Sequence, residues 1–339
     1  MNNIFVYCEL EDGHVVDVSL ELLTKGRKLA NDLKCQLEAI VIGSKLEEIG
    51  NQIFPFGVDV LHMADDNRLY PYTNLPHAQI VTHVFEKEKP QIALFGATSI
   101  GRDLAPRVAS KLKCGLTADC TSLEIGEHFD KKTKTQYDNL LYQIRPAFGG
   151  NILATIINPD TRPQMATVRE GVMKKEILSI EFTGKTKQID VGKILTDADF
   201  VVKIIERHVE KQKINIKSSP IIISGGYGMG SRENFNLLFE LAEALGGEVG
   251  GSRAAVDAGY IPHERQIGQT GVTVRPKLYI ACGISGAVQH RAGMQESAMI
   301  ISINNDPKAP INNIADYAII GDVADVIPKM IRYYKKNAK

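Results

Sequence analysis

Residues 266–295 read QIGQTGVTVRPKLYIACGISGAVQHRAGMQ, and the order of residue types in this stretch decides how the rest of the chain is read. The apolar run Leu278 to Ala281 has the character of a buried strand. It opens into Gly283, Ile284, Ser285 and Gly286, and then into a helix that carries Gln289 and His290. A strand, a glycine turn and a helix start form an anion cradle. The first backbone N–H groups of a helix have no intrahelical partner and lie at the positive end of its dipole, so a phosphate is stabilised there without any lysine. Upstream, Gln269, Thr270 and Gly271 add two polar side chains and a flexible backbone, a combination suited to a polar heteroaromatic ring.

Composition bounds the rest. With 339 residues, 44% of them hydrophobic, the chain can bury a sizeable core and is expected to form about two domains. Forty basic residues balance forty acidic ones, which gives no electrostatic footprint for nucleic acid or an acidic membrane. No apolar run reaches the roughly 18 residues that span a bilayer. The start enters a strand-like IFVYCE with no leader pattern, so the expected location is cytoplasmic. The five cysteines, Cys8, Cys35, Cys114, Cys120 and Cys282, are scattered and read as small core hydrophobes. Cys114 and Cys120 poorly match zinc or iron–sulfur spacing, and no metal site is expected.

The first half alternates strand and helix: strands at 3–8, 37–42, 58–63 and 92–97, and helices at 17–34, with Asp17 as its N-cap, and 75–88. That alternation favours a parallel sheet covered by helices. The turn Gly96 to Ser99 admits two readings, a nucleotide site at a strand end or a helix cap at Thr98 or Ser99. After residue 115, the runs TADCTSLEI, NLLYQIRPA, NILATII and QMATV follow closely and suggest an antiparallel addition. The expected organisation is an N-terminal α/β domain over 1–206, a linker over 207–219, a doubly wound domain over 220–327 and a tail over 328–339.

The second domain opens with IIIS and the glycine-rich turn Gly225 to Gly230, with Ser231 able to cap the next helix. A lone turn of this kind is weak, but GGEVGGSRAAVDAGY, the opening stretch, MIISI ending at Asn304 and YAIIG ending at Asp322 follow it. Small and polar residues thus gather at strand ends, where an open parallel sheet keeps its ligand crevice. A dinucleotide matches them piece by piece. Ser285 and Gly286 suit a pyrophosphate, Asp322 a ribose hydroxyl, and Arg253, Thr270, Gln289 and His290 a flavin, although a nicotinamide is not excluded. Each residue also has a structural reading. Arg253 can be an ion-paired helix residue with Ser252 as its cap, His290 a hydrogen-bonded core histidine, and Thr270 a turn brace. GISG lacks the second spacer of the GxSxG elbow, which leaves a serine hydrolase poorly supported.

Longer motifs carry a resemblance. GGYGMGSRENF, GGSRAAVDAG, QIGQTG, YIACGISGAVQH, AGM, INNDPKAPI, and IIGDV followed by IPKM resemble the C-terminal FAD domain of electron-transfer flavoprotein alpha subunits. GRDLAPRVASKL, TADCT, RPAFGGNI and RPQMATVR resemble that family's N-terminal domain. The resemblance implies a non-covalent FAD, with Thr270 hydrogen-bonded to flavin N5, His290 at the O2 side and Arg253 beside the isoalloxazine. Ser285 with the backbone of Gly286, Ala287, Val288 and Gln289 would hold the pyrophosphate. Ser252, Ile267, Gly268, Gln269 and Gly271 would line the same pocket, with Asn304, Asp322 and Val323 toward ribose and adenine. Where the family commonly has arginine in the first glycine turn this chain has Tyr227, able to stack on a ring.

The same resemblance implies an electron carrier with no catalytic residue of its own, paired with a beta subunit and fed by acyl-CoA dehydrogenases or other flavoprotein dehydrogenases. TADCT, RPAFGGNI, RPQMATVR and YIACGISGAVQH are similar to electron-bifurcating members, which would bring NADH and ferredoxin to the complex. The alternatives are a nucleotide-binding regulatory protein without redox role and an NAD-dependent dehydrogenase. The latter needs an acid/base pair, which the sequence does not supply.

Overall fold

The computed structural model describes residues 3–147, 152–206, 216–217 and 219–337, which fall into two units, one up to residue 206 and one from residue 216. Most of the expected linker, and the middle of RPAFGGNI at 148–151, lie outside the described residues.

The first unit runs β1 (Ile4–Cys8), β2 (Leu10–Glu11), β3 (His14–Val15), α1 (Asp17–Leu33), β4 (Leu37–Gly43), α2 (Ile49–Ile53), β5 (Val60–Asp65), α3 (Asn74–Glu88) and β6 (Ile92–Gly96). It continues with α4 (Ser99–Leu112), β7 (Leu116–Cys120), β8 (Ser122–Asp130), β9 (Thr135–Ala147), β10 (Ile152–Ile156), β11 (Gln164–Val168), β12 (Lys185–Gln188) and α5 (Val191–Ile194). Seven strands form one parallel sheet in the order β12-β5-β4-β1-β6-β11-β7. Every residue of β1, β4 and β6 is buried, because helices cover both faces, and such strands read as unbroken apolar runs. Leu22, Leu29 and Leu33 of α1 close one face, and Val84, Leu104 and Val108 of α3 and α4 the other.

Two expectations change here, and one strand appears that was not expected. QMATV is β11, which lies parallel between β6 and β7 with Gln164 opposite Ile92, whereas β8, β9 and β10 alone form the antiparallel addition. Burial of all five β11 residues gives it the continuous pattern of a central parallel strand. Asp17 is the first residue of α1, Val16 occupies the cap position, and the Asp17 carboxylate pairs with Lys175 at 2.8 Å. Finally, the exposed KTKQ of β12 is an edge strand held by backbone pairing to β5, with no apolar periodicity to announce it. At the turn after β6, Thr98 caps α4 by accepting from the Gly101 N–H at 2.9 Å.

The second unit contains β13 (Ile221–Gly225), α6 (Phe235–Leu245), β14 (Glu248–Gly251), α7 (Arg253–Asp257), β15 (Leu278–Cys282), α8 (Val288–Arg291), β16 (Ile300–Asn304), β17 (Tyr317–Ile320) and α9 (Val323–Asn337). Its five strands are all parallel in the order β14-β13-β15-β16-β17. The second strand thus lies outside the first and the third on its other side, so the winding direction reverses between β13 and β15. That reversal opens a crevice at the carboxyl ends of these strands. Phe235, Leu238 and Leu241 of α6 and Val323, Ile327 and Ile331 of α9 pack one sheet face. The helix α9 continues through residues 328–337, expected as a tail, because Ile331 is buried one turn beyond Ile327. Loop, turn and 3-10 segments carrying Ile267, Val274, Met294 and Ile311 cover the opposite face.

Candidate functional site

Four strand ends build the crevice, those after β13, β14 and β15 turning on glycine and serine and that after β16 on Asn304. After β13, Gly226 leads into a single turn at Tyr227–Met229; a Cβ on Gly226 would sit 2.1 Å from the Gly283 carbonyl oxygen, so the first and third turns touch backbone to backbone. After β15, Gly286 has φ +88°, and a Cβ there would lie 2.4 Å from the Ile311 nitrogen. After β14, Ser252 caps α7, its Oγ accepting from Ala255 N–H at 3.4 Å. Asn304 ends β16 and is fixed on both sides, Nδ2 donating to the Ile284 carbonyl at 2.9 Å and Oδ1 accepting from Asp306 N–H at 2.9 Å.

Between these turns lies a cavity of about 730 Å³, within the size range of small-molecule sites. It brings together Tyr227, Ser252, Arg253, Ile267, Gly268, Gln269, Thr270, Ser285, Ala287, Gln289, His290 and Asn304 of the residues singled out in the sequence. Gly271, Gly286, Val288, Asp322 and Val323 are not among its lining. Gly286 supports the turn through its contact with Ile311, Gly271 closes a turn to the Gly268 carbonyl at 3.1 Å, and Val288 points elsewhere, partly exposed. Asp322 precedes α9 and accepts from Ala324 N–H at 2.8 Å, while Val323 is buried under α6. The lining also includes residues not singled out, notably Gln266, Asp257 and Asp306. Asp257 lies one helical turn after Arg253, and Asp306 sits in the quoted INNDPKAPI, so motif position pointed to both without showing that they face the cavity.

The polar groups have definite roles. The helix α8 is one turn long, so its dipole is small and an anion bound there would rely on local N–H groups. Its first donors, His290 and Arg291, both reach the Ala287 carbonyl, which leaves the N–H groups of Gly286, Ala287 and Val288 ahead of the first intrahelical bond. Gln266 Nε2 donates to Thr270 Oγ1 at 3.0 Å, so the threonine spends a lone pair on the protein and keeps its own proton to donate. His290 is buried, with Nδ1 3.1 Å from the Ile267 carbonyl oxygen and Nε2 2.9 Å from the Tyr279 hydroxyl. Burial pushes its pKa down to about 4, partly opposed by the Ile267 carbonyl. Arg253 Nε lies 3.4 Å from Asp257 Oδ2 on the exposed side of α7. The structural alternatives for Ser252, Arg253, Thr270 and His290 are therefore all realised, by residues that also line the cavity. Tyr227 stacks on Tyr260 with 6.0 Å between centroids.

The donor set fits FAD. Backbone N–H groups would suit its anionic linkage, hydroxyl and amide groups a heteroaromatic edge, and Ile267, Ile284 and Pro310 would supply apolar contact. Among the described residues no three His, Cys, Asp or Glu side chains cluster as a metal site, and no helix is long and apolar enough to cross a membrane.

Residues 4–194 match the family profile described as electron transfer flavoprotein domain, and residues 215–295 that described as electron transfer flavoprotein FAD-binding domain. The chain is 46% identical to the electron transfer flavoprotein subunit alpha of Thermoanaerobacterium thermosaccharolyticum, covering 98% of both chains. It is 46% identical to Protein FixB of Clostridium saccharobutylicum, over 98% of this chain and 96% of the relative. It is also 42% identical to the acryloyl-CoA reductase electron transfer subunit beta of Anaerotignum propionicum, over 99% and 97% respectively.

Proposed function

Because this chain belongs to the electron transfer flavoprotein family, on the side of its alpha subunits, we propose that the cavity at the β13/β15 reversal seats FAD and that the chain carries electrons between a dehydrogenase and an acceptor. The observation that carries this reading is the convergence of four separate strand ends on one cavity whose donors suit each part of a dinucleotide. When bound, FAD supplies both one-electron and two-electron chemistry, and the protein supplies binding, orientation and electrostatics.

The N–H groups at Gly286 to Val288, with Ser285, hold the pyrophosphate. Thr270, braced by Gln266, directs its hydroxyl proton at the flavin N5. Arg253 places a positive charge beside the isoalloxazine, moderated by Asp257. Asn304 faces the adenosine end, where Asp306 adds a carboxylate suited to sugar hydroxyls. Asp322 keeps a second carboxylate oxygen beyond the one bonded to Ala324.

The crevice is open to solvent on the side of Tyr227 and Arg253, whose side chains are exposed, and a beta-type subunit completes it. A relative named as an electron transfer subunit of acryloyl-CoA reductase supports an acyl-CoA dehydrogenase as donor. A second, narrower reading rests on the motifs TADCT, RPAFGGNI, RPQMATVR and YIACGISGAVQH: electron bifurcation, with NADH and ferredoxin reached through the complex. Co-expression with a beta-type subunit tests both. A yellow heterodimer releasing FAD on denaturation is expected, and a colourless one, or one releasing only AMP, overturns the assignment. Absorbance during NADH addition separates the two modes: reduction with two FAD per heterodimer marks bifurcation, and one FAD with no response to NADH marks simple transfer.

A further inference from the structure

The contacts of His290 fix more than its position. The Ile267 carbonyl can only accept, so His290 Nδ1, 3.1 Å away, must carry the proton. A neutral imidazole protonated at Nδ1 has only an acceptor at Nε2, and the group 2.9 Å from it is the Tyr279 hydroxyl, which therefore donates. Tyr279 has no solvent exposure and stands on β15, the strand hydrogen-bonded to β13 on one side and β16 on the other. From Tyr279 the chain of contacts runs through His290 to the Ile267 carbonyl, one peptide before Gly268–Gln269–Thr270. A second link ties the same two segments, Gln269 N–H donating to the Gln289 carbonyl at 2.7 Å.

We propose that Tyr279, which does not itself line the cavity, is a positioning residue of the redox site. Its hydroxyl holds His290 as the neutral Nδ1–H tautomer, and through the Ile267 carbonyl it sets the wall that presents Thr270. Burial lowers the His290 pKa and raises that of Tyr279, in accord with two neutral partners. His290 then lends the reduced flavin neither a proton nor a charge. Arg253 is the one cationic side chain among the described residues that line the cavity. The first unit repeats the device: Tyr7 hydroxyl lies 2.9 Å from His77 Nδ1, and His77 Nε2 lies 2.9 Å from the Leu69 carbonyl oxygen. The same three groups thus meet in both units, with the His77 proton on Nε2 instead of Nδ1.

The inference rests on the ring lying against Thr270 and His290, and the test separates the two claims. The FAD-bound heterodimer is prepared with this chain alone labelled with ¹⁵N-histidine, and His290→Gln identifies the His290 signals among the eight histidines. A His290 signal unmoved between FAD-free and FAD-bound protein would show that the ring lies elsewhere. If it moves on loading and reports a single Nδ1–H tautomer, the placement stands, and Tyr279→Phe then tests the tyrosine. The variant should lose the single tautomer, bind FAD about tenfold more weakly and shift the flavin midpoint potential, since a buried acceptor is left unpaired. An unchanged tautomer with unchanged potential would remove Tyr279 from the site. Should Tyr279→Phe not fold, 3-fluorotyrosine at position 279 decides: a stronger donor of nearly the same size should move the His290 Nε2 signal and the potential, and no movement of either overturns the proposal.

Discussion

In the proposed FAD site Thr270 and Arg253 would divide the work at the flavin, one through a hydrogen bond and the other through charge. Thr270→Ala removes a donor while leaving Gln266 a buried amide without its partner, so the flavin potentials should change and stability should fall by about 1 kcal/mol. A redox titration beside a urea melt checks this, and unchanged potentials would refute the N5 contact. Arg253→Ala deletes a largely exposed cation, so solvent screening limits the effect. A fall in midpoint potential of roughly 60 mV, a tenfold change for one electron, is expected. Asp257→Asn should move it the other way, and equal potentials in all three proteins would place the arginine outside the ring's field. The residue types at this wall were legible in the sequence, because QIGQTG and GISGAVQH keep them in order along the chain. Their hydrogen-bond directions were not. That His290 is locked by Tyr279, eleven residues earlier, and that Gln266 braces Thr270 depend on how a strand, a turn and a loop fold together.

The turn after β15 is the element on which the site depends. Gly286 combines φ +88° with a Cβ position 2.4 Å from the Ile311 nitrogen, so Gly286→Ala meets both a left-handed backbone and a clash. A loss of about 2–3 kcal/mol is expected, with FAD released on gel filtration. A variant that keeps FAD and its melting temperature would show that the turn tolerates a side chain. Among the elements, β1, β4, β6, β13 and β15 were legible because burial on both faces makes each a continuous apolar run. β11 was misassigned for the same physical reason. A short buried run does not say whether its neighbours are parallel or antiparallel, and that is settled only by the crossover through β8 to β10. β12 could not be seen, since KTKQ has no buried side chain and exists by backbone pairing alone.

At the scale of the whole molecule, His77 and His290 are buried, burial holds each neutral, and this contributes to the acid response. His77 and His290 both have pKa values lowered to about 4, so the unfolded chain, near 6.5, binds protons first. Their contribution is complete above about pH 6.5 and is lost as pH falls toward 4, by about 3 kcal/mol for each histidine. Glu9 runs the opposite way. Burial raises it to about 7 despite the Thr98 hydroxyl at 2.7 Å, so its contribution is complete below about pH 4.5 and is lost as pH rises through 7. Urea midpoints of FAD-free protein should therefore fall between pH 6.5 and 4, less steeply in His77→Gln, and Glu9→Gln should gain stability above pH 7. A flat profile would show that these groups are not buried as described. The central claim is that electrons pass through an FAD held in the β13/β15 crevice of this chain. It is tested most directly by mixing the purified heterodimer anaerobically with a catalytic amount of acyl-CoA dehydrogenase and its acyl-CoA substrate while flavin absorbance is followed. Bleaching of one FAD per heterodimer is predicted, lost with the FAD in Gly286→Ala. An absorbance that does not bleach, or bleaching that survives in a Gly286→Ala protein emptied of its FAD, would contradict it.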